Sequence, residues 1–399
     1  MGRRRSRLAL AMDLKPKAFA LFERLSRVTR RSPLHLGFFP DIRPYPDRFV
    51  HIFQDDRYRM RLASPPYAEV LPELAIDNWD VKLPSFAEAD ETIIRRFVGI
   101  FQDAIVPGHT LTPVDAESLA QLALDESRLA NWNFAYPAPI LFKRRVAEGL
   151  GIVLPPYPHY GHLLLDVLMP IAHALRLGAG GGRKLTIITK AHRIPLINAC
   201  VSGLRKLGHT VEVMELTPFE HAVVPELLLT RSLCRNVERA YGLHESLPYL
   251  RSIFEAAYGP VSVSPSPLVY FSRGHSRLRR LLNEDELRHG LIERGFSVFE
   301  AGWGNHPQQI ATFTQASVLV GVHGAGLANV AWMQPGAHLV EILPSTFRKT
   351  TGLHWAAEHD VGYDFFLASA EGAMQSFSID CAAFFARLDA IVTRSHLRP

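Results

Sequence analysis

From about residue 131 the chain alternates short apolar runs with stretches whose apolar residues recur at helical spacing. An apolar helix is predicted over His162 to Leu177, then a strand in KLTIITK, a helix in PLINACVSGLRKLG and a strand in TVEVMEL. A further helical stretch is expected from about 225 to 257. After the linker YGPVSVSPSP the alternation resumes, with LVYFSR, FSVFEA, SVLVGVHG and HLVEILP as strands and NEDELRHGLIERG and HPQQIATFTQA as helices. Such alternation implies parallel strands joined by right-handed crossovers. The predicted class is therefore α/β, as two Rossmann-like lobes facing a cleft, with an extra N-terminal α+β region.

The expected divisions follow from the same pattern. Residues 1–130 form a mixed N-terminal region packing on the first lobe, 131–257 the first lobe and 258–370 the second. Residues 371–399, which hold SIDCAAFFARLDAIVTRS, form a C-terminal helix that can pack back across the lobes. The first region shows Pro-rich turns (FFPDIRPYPDRF, ASPPYAEVLPEL), an amphipathic arm near Lys17 to Arg31 and the strand candidate RFVHIF.

Composition narrows the class. A chain of 399 residues is long for a single core, and 47% hydrophobic with 21% charged residues is the balance of a folded globular protein. The formal net charge is +5, spread along the chain, which suits anionic small ligands or an acidic membrane face and does not call for nucleic acid. Arg3, Arg4, Arg5 and Arg7 precede an apolar run too short for a signal peptide, so MGRRRSRLALAMDLKPK reads as a basic surface arm. Its uses are peripheral contact with an inner membrane face or plain solvation. No run is long and uncharged enough to span a bilayer. The three cysteines, Cys200, Cys234 and Cys381, show no CxxC spacing, which fits a reduced, cytoplasmic setting.

Chemistry concentrates in SVLVGVHGAGLANVAW. The apolar strand Val318 to Val322 delivers His323 to its carboxyl end, where Gly324 and Gly326 allow close backbone approach and the following residues can start a helix. Glycine clearance and a helix N-terminus hold a diphosphate without metal, and an imidazole can donate to a phosphate oxygen. A plain glycine turn beside a structural histidine is the competing reading. Glu341 ends the neighbouring strand AHLVEI, where it can accept from ribose hydroxyls or serve as a salt bridge or cap. Arg273 follows the strand LVYFS and so points into the same cleft, with a planar fork suited to a diphosphate. Arg277, Arg279 and Arg280 read as solvated loop charges, and NEDE as a helix N-terminus. On the first lobe His162 and Asp166 share a helical face, fit either to deprotonate a hydroxyl or to cap and pair locally. GAGGG, Gly178 to Gly182, precedes a strand and reads as a connection. No Asp-x-Asp, HExxH or Cys/His cluster is present, so neither a metal nor another cofactor is expected.

Three motifs in order resemble glycosyltransferase family 61 over about residues 155 to 345: YGHLLLDVL, FSRGHSRLRRLLNEDEL and HGAGLANVAWMQPGAHLVEILP. The resemblance implies a GT-B fold with the donor mainly on the second lobe. It also implies inverting transfer from a nucleotide sugar, typically a UDP-sugar, to a glycan or lipid-linked glycan acceptor, as in capsular polysaccharide biosynthesis. Carried over, Arg273, His323, Gly324, Ala325 and Gly326 meet the diphosphate, Asn329 supports the loop and Glu341 meets the ribose. His162 and Asp166 lie on the acceptor side as catalytic candidates. Ala328 replaces the hydroxyl residue usual before the asparagine, and Met169, Pro170 and Ile171 stand where Pro-Arg-Leu is usual. Lacking the anchor and disulfides of secretory members, the chain fits the bacterial, cytoplasmic branch. Two other classes stay open: a non-catalytic nucleotide-sugar-binding scaffold subunit, and a dinucleotide oxidoreductase or epimerase, which the absence of a full G-x-G-x-x-G after any strand weakens.

Overall fold

The computed structural model describes residues 46–59, 93–108, 111–117, 122, 143–156, 159–191, 194–230, 243–263, 266–274, 279–300, 305–346, 351–370 and 376–396. The basic arm, both Pro-rich stretches for the most part, Cys234 and Arg277 lie outside them.

The protein is α/β, as the pattern predicts, with two sheets rich in parallel pairing. The first contains β1 (Phe49–Arg59), β2 (Ile93–Pro107), β3 (Val114–Asp115), β4 (Lys143–Val146), β5 (Leu150–Val153), β6 (Leu185–Lys190), β7 (Val211–Leu216) and β8 (Glu220–Thr230). Their order is β1-β2-β8-β5-β6-β7, with β3 on β2 and β4 on β8. β5 runs parallel to both β8 and β6, and β6 to β7. β2 joins β8 antiparallel, so strands from the first hundred or so residues extend this sheet.

β8 corrects the expected helix from about 225. The segment EHAVVPELLLT is a strand lying between β2 and β5, buried on most of its length. A doubly covered strand shows a continuous apolar run, which periodicity alone cannot separate from a buried helix. Pro225, with no N–H to give, falls where the ladder skips a pair opposite Asp103, whose φ is 53°.

Between β5 and β6 the chain forms one π-helical stretch, His162–Leu168, that runs into α1 (Met169–Arg176). The GAGGG connection then leads to β6. α2 (Pro195–Lys206) links β6 to β7, and α3 (Leu247–Tyr258) closes the first half after a short 3-10 turn, His244–Ser246.

The second sheet holds β9 (Leu268–Ser272), β10 (Ser297–Glu300), β11 (Val318–Val322), β12 (His338–Pro344), β13 (Gly362–Ala370) and β14 (Phe377–Ser378), in the order β10-β9-β11-β12-β13-β14. Every pair is parallel except the last. α4 (Glu284–Glu293), α5 (His306–Gln315) and α6 (Thr351–Glu358) join successive strands, and α7 (Cys381–His396) ends the described chain. α6 and β13 were not predicted. Among the described residues α7 packs with the second sheet, with Phe384, Leu388 and Ile391 among Leu281, Leu287 and Leu291.

One buried apolar cluster joins the two halves. It contains Leu163, Leu164 and Leu168 of the π-helical stretch, Phe254 of α3, Phe271 of β9 and Trp332 after β11. Phe254 and Trp332 meet edge to face at 5.7 Å. Glu358 of α6 accepts from the Leu243 backbone N–H at 3.0 Å, placing a carboxylate at the start of the turn that opens α3.

Candidate functional site

In the second sheet, successive strands take the spatial order 2-1-3-4-5, so the connection direction reverses between β9 and β11. Ligands of doubly wound sheets lie beyond the carboxyl ends of the strands at such a switch point. Arg273 follows β9 directly and His323 follows β11 directly, so the two residues flank it.

Their contact is direct: Nη1 of Arg273 donates to the carbonyl oxygen of His323. Gly324 makes room for this, because a Cβ there would come within 2.5 Å of that same Nη1. Gly326 makes similar room for the Phe271 ring, 2.1 Å from the position of a Cβ. The Ser272 hydroxyl accepts from the Gly274 N–H at 3.0 Å and donates to Glu284 at 2.7 Å, which fixes the turn that presents the guanidinium. Burial, with Arg279 beside it, brings the Arg273 pKa down to about 10, so Arg273 remains a cation at neutral pH. After Gly324 the chain winds as a 3-10 helix, Ala325–Trp332, where an α-helical start was expected. Ala325 is exposed and Gly326 half-buried, while Leu327 onward is buried, so the loop tip is the part a ligand can approach.

Glu341 is completely buried on β12. Its Oε1 pairs with Nδ1 of His323 at 2.5 Å and its Oε2 accepts from the Tyr363 hydroxyl of β13 at 2.6 Å. Burial together with the adjacent carboxylate raises the Tyr363 phenol well above its ordinary range. Parallel register sets this up, since Gly321 of β11 lies opposite Glu341 and Glu341 opposite Phe365. Arg279 is no solvated charge: it is half-buried with φ of 53°, and burial lowers its pKa while Glu341 pushes it back up. Arg280 is exposed as expected. Asn283 precedes α4 as predicted, but its side chain bonds the Ile379 backbone instead of capping.

On the first half, Nδ1 of His162 pairs with Oδ2 of Asp166 at 2.6 Å. The His162 side chain is 40% exposed and that of Asp166 only 5%. The imidazole therefore meets solvent while the carboxylate holds it from behind. π-helical winding over these residues is itself a feature enriched at functional sites.

The two halves meet at this point. A Cβ on Gly161 would lie 3.4 Å from the Ala325 carbonyl oxygen and 3.4 Å from Cβ of Ala328. The Tyr160 hydroxyl donates to Oδ1 of Asn329 at 2.8 Å and accepts from Nε1 of Trp332 at 2.9 Å. Fully buried Asn329 also accepts from Gln309 at 2.8 Å and donates to the Gly326 carbonyl at 2.7 Å. The structure thus brings Arg273, His323, Gly324, Ala325, Gly326, Asn329 and Glu341 into one assembly, with the His162–Asp166 pair adjoining it. Sequence reasoning missed Tyr160, Gln309, Trp332, Glu284 and Tyr363. Tyr160, Glu284 and Trp332 do lie within the quoted motifs, whereas nothing in the sequence marked Gln309 or Tyr363.

Among the described residues no group of three or more His, Cys, Asp or Glu side chains is gathered as for a metal ion. Nor is any helix among them long and apolar enough to cross a membrane. Residues 160–340 match the family model Glycosyltransferase 61, so the resemblance carried by the three motifs is borne out over that stretch. No curated protein matches the chain.

Proposed function

We propose, from the family match and the site, that this chain is an inverting glycosyltransferase. It moves a sugar from a nucleotide sugar, a UDP-sugar in the first instance, to a hydroxyl of a glycan or lipid-linked glycan. The observation that carries this reading is the juxtaposition of Gly161 and Ala325, which sets a proton-accepting pair beside a cationic, glycine-lined loop at a sheet switch point. Arg273 and His323 receive the diphosphate, with the loop backbone at Ala325 and Gly326 approaching it closely. Glu341, buried and bonded on both oxygens, acts by orienting His323 and supporting its protonated form.

In the reaction, His162 takes the proton of the acceptor hydroxyl and its oxygen attacks the anomeric carbon. The bond from that carbon to the diphosphate oxygen breaks, and the diphosphate leaves with the electron pair. Asp166 keeps the imidazole in the tautomer that can accept a proton and stabilises the imidazolium that forms. Arg273 and His323 stabilise the departing charge. Base duty falls to His162 because its ring is the exposed member of the pair. The chemistry requires no metal in this scheme. A GT-B arrangement, a role in surface polysaccharide assembly and a cytoplasmic setting with peripheral membrane contact through the basic arm belong to the same proposal.

The test is a thermal-shift and calorimetric panel of nucleotide sugars with and without divalent metal, on the wild type and on His323→Ala. Stabilisation by one nucleotide sugar without metal, lost in the variant, is the expected result. A wild type indifferent to every nucleotide sugar overturns the reading.

A further inference from the structure

We infer that Tyr160 is a positioning residue that makes the His162–Asp166 pair respond to occupancy of the 323–329 loop. This rests on the donor-site reading above and goes beyond it, since neither the family motifs nor the transfer chemistry assigns Tyr160 a part.

The Tyr160 hydroxyl gives its one hydrogen to Asn329 and receives the indole N–H of Trp332. Oδ1 of Asn329 already takes a second donor, Gln309, and its amide holds the Gly326 carbonyl. The groups at the centre of this network are buried, with Asn329 and Trp332 fully so, and a buried polar group stripped of its partner costs about 1–3 kcal/mol. The Tyr160 ring is further held by stacking on His306, with centroids 5.9 Å apart and planes 20° apart. No member of the set shifts alone without breaking one of these bonds.

The network ends at both functional elements. Gly326 is part of the loop tip a diphosphate would touch, and its carbonyl is bonded to Asn329. Tyr160 is two residues before His162, and the intervening Gly161 packs against Ala325 and Ala328, where a Cβ would stand at contact distance, 3.4 Å from each. A loop that rearranges around a diphosphate must therefore carry Tyr160 with it, and Tyr160 leads directly into the stretch that holds His162. Donor binding and placement of the base become one event, which suits an enzyme that must not activate a hydroxyl before its donor is seated.

The experiment uses the full chain with histidine ring carbons labelled, and UDP, GDP and CDP as probes. With 18 histidines in the sequence, the His162 ring signal is assigned by its loss in His162→Asn. In the wild type the bound nucleotide should shift the His162 signal. In Tyr160→Phe, which keeps the ring and removes the hydroxyl, calorimetry should show nucleotide affinity within about threefold while the His162 response disappears. Trp332→Phe, which removes the indole donor together with part of the buried ring, should weaken the response and serves if Tyr160→Phe does not fold. A wild-type His162 signal indifferent to a bound nucleotide, or an undiminished response in Tyr160→Phe, overturns the inference and leaves the donor site standing. If no nucleotide binds the wild type, the donor-site reading falls and takes this inference with it.

Discussion

Gly352 sits so close to Glu341 that a Cβ on it would lie 2.2 Å from Oε2 of the carboxylate. α6 therefore lends its second residue to the site without touching any ligand. We expect Gly352→Ala to displace the carboxylate from His323 and Tyr363, lowering stability by about 1–3 kcal/mol as an overpacked core position does. Nucleotide affinity should fall with it. Thermal melts combined with calorimetry check both, and a variant with wild-type affinity would detach Glu341 from the binding role.

The exposed imidazole and its buried carboxylate should separate in kinetics. We expect His162→Ala to lower kcat by about 10²–10⁴-fold with little change in donor KM, the usual range for removal of a general base. Asp166→Asn should lower kcat as well, because the imidazolium formed in the reaction loses its stabilising partner. An Asp166→Asn enzyme with wild-type kcat would show that the carboxylate serves the fold alone.

Arg273 combines a cation with a donor geometry that lysine cannot copy. For Arg273→Lys we expect nucleoside diphosphate affinity to fall roughly 10-fold to 100-fold, the equivalent of one charge-assisted hydrogen bond. The loss should be smaller for the corresponding nucleoside monophosphate. Isothermal titration with the paired ligands measures the difference.

Stability should drop on mild acidification because of two buried imidazoles. His173 lies between the Ser246 hydroxyl and the Gln54 amide, and burial with Arg176 and Arg96 nearby lowers its pKa to about 4. Burial brings His359 down to about 3. Both are depressed below the unfolded value near 6.5, so the unfolded chain binds the extra protons. Their contribution is complete above that value and is lost as pH falls toward their folded values, at up to about 1.4 kcal/mol per pH unit for each histidine. Asp364, which burial pushes up but His338 and Arg387 together hold below its ordinary range, adds its own loss only at more acid pH. Denaturant titrations between pH 7 and 4 should show the slope, and His173→Gln should flatten it.

The second half was legible because its strands and helices are short, separated by Gly and Pro, and each apolar run ends in a residue of another kind. His323 and Arg273 could be placed at strand ends before any fold was known, and their contact follows from β9 and β11 being neighbours. What pairs with Glu341 was not legible, because Tyr363 comes from a strand whose partner is set by tertiary order. The same holds for Tyr160 and Asn329, 169 residues apart in the chain and joined only after both halves have formed. β8 misled because Pro225 and a run of leucines imitate the features of a helix with a break.

The hydrogen-bond ladders give the family-matched stretch a dependence that its motifs do not reveal. β5, which carries the chain toward Tyr160, ends at Val153, before the matched residues begin at 160, and β13, which holds Tyr363, starts at Gly362, after they end at 340. β8 lies within the match, yet one whole edge of it is occupied by β2 from residues 93–107. Cut out by itself, the matched segment would bare one edge of β8, break β12 after Val340, and lose Glu341 together with the phenol that secures it. The span that matches the family is smaller than the span whose strands complete the two sheets.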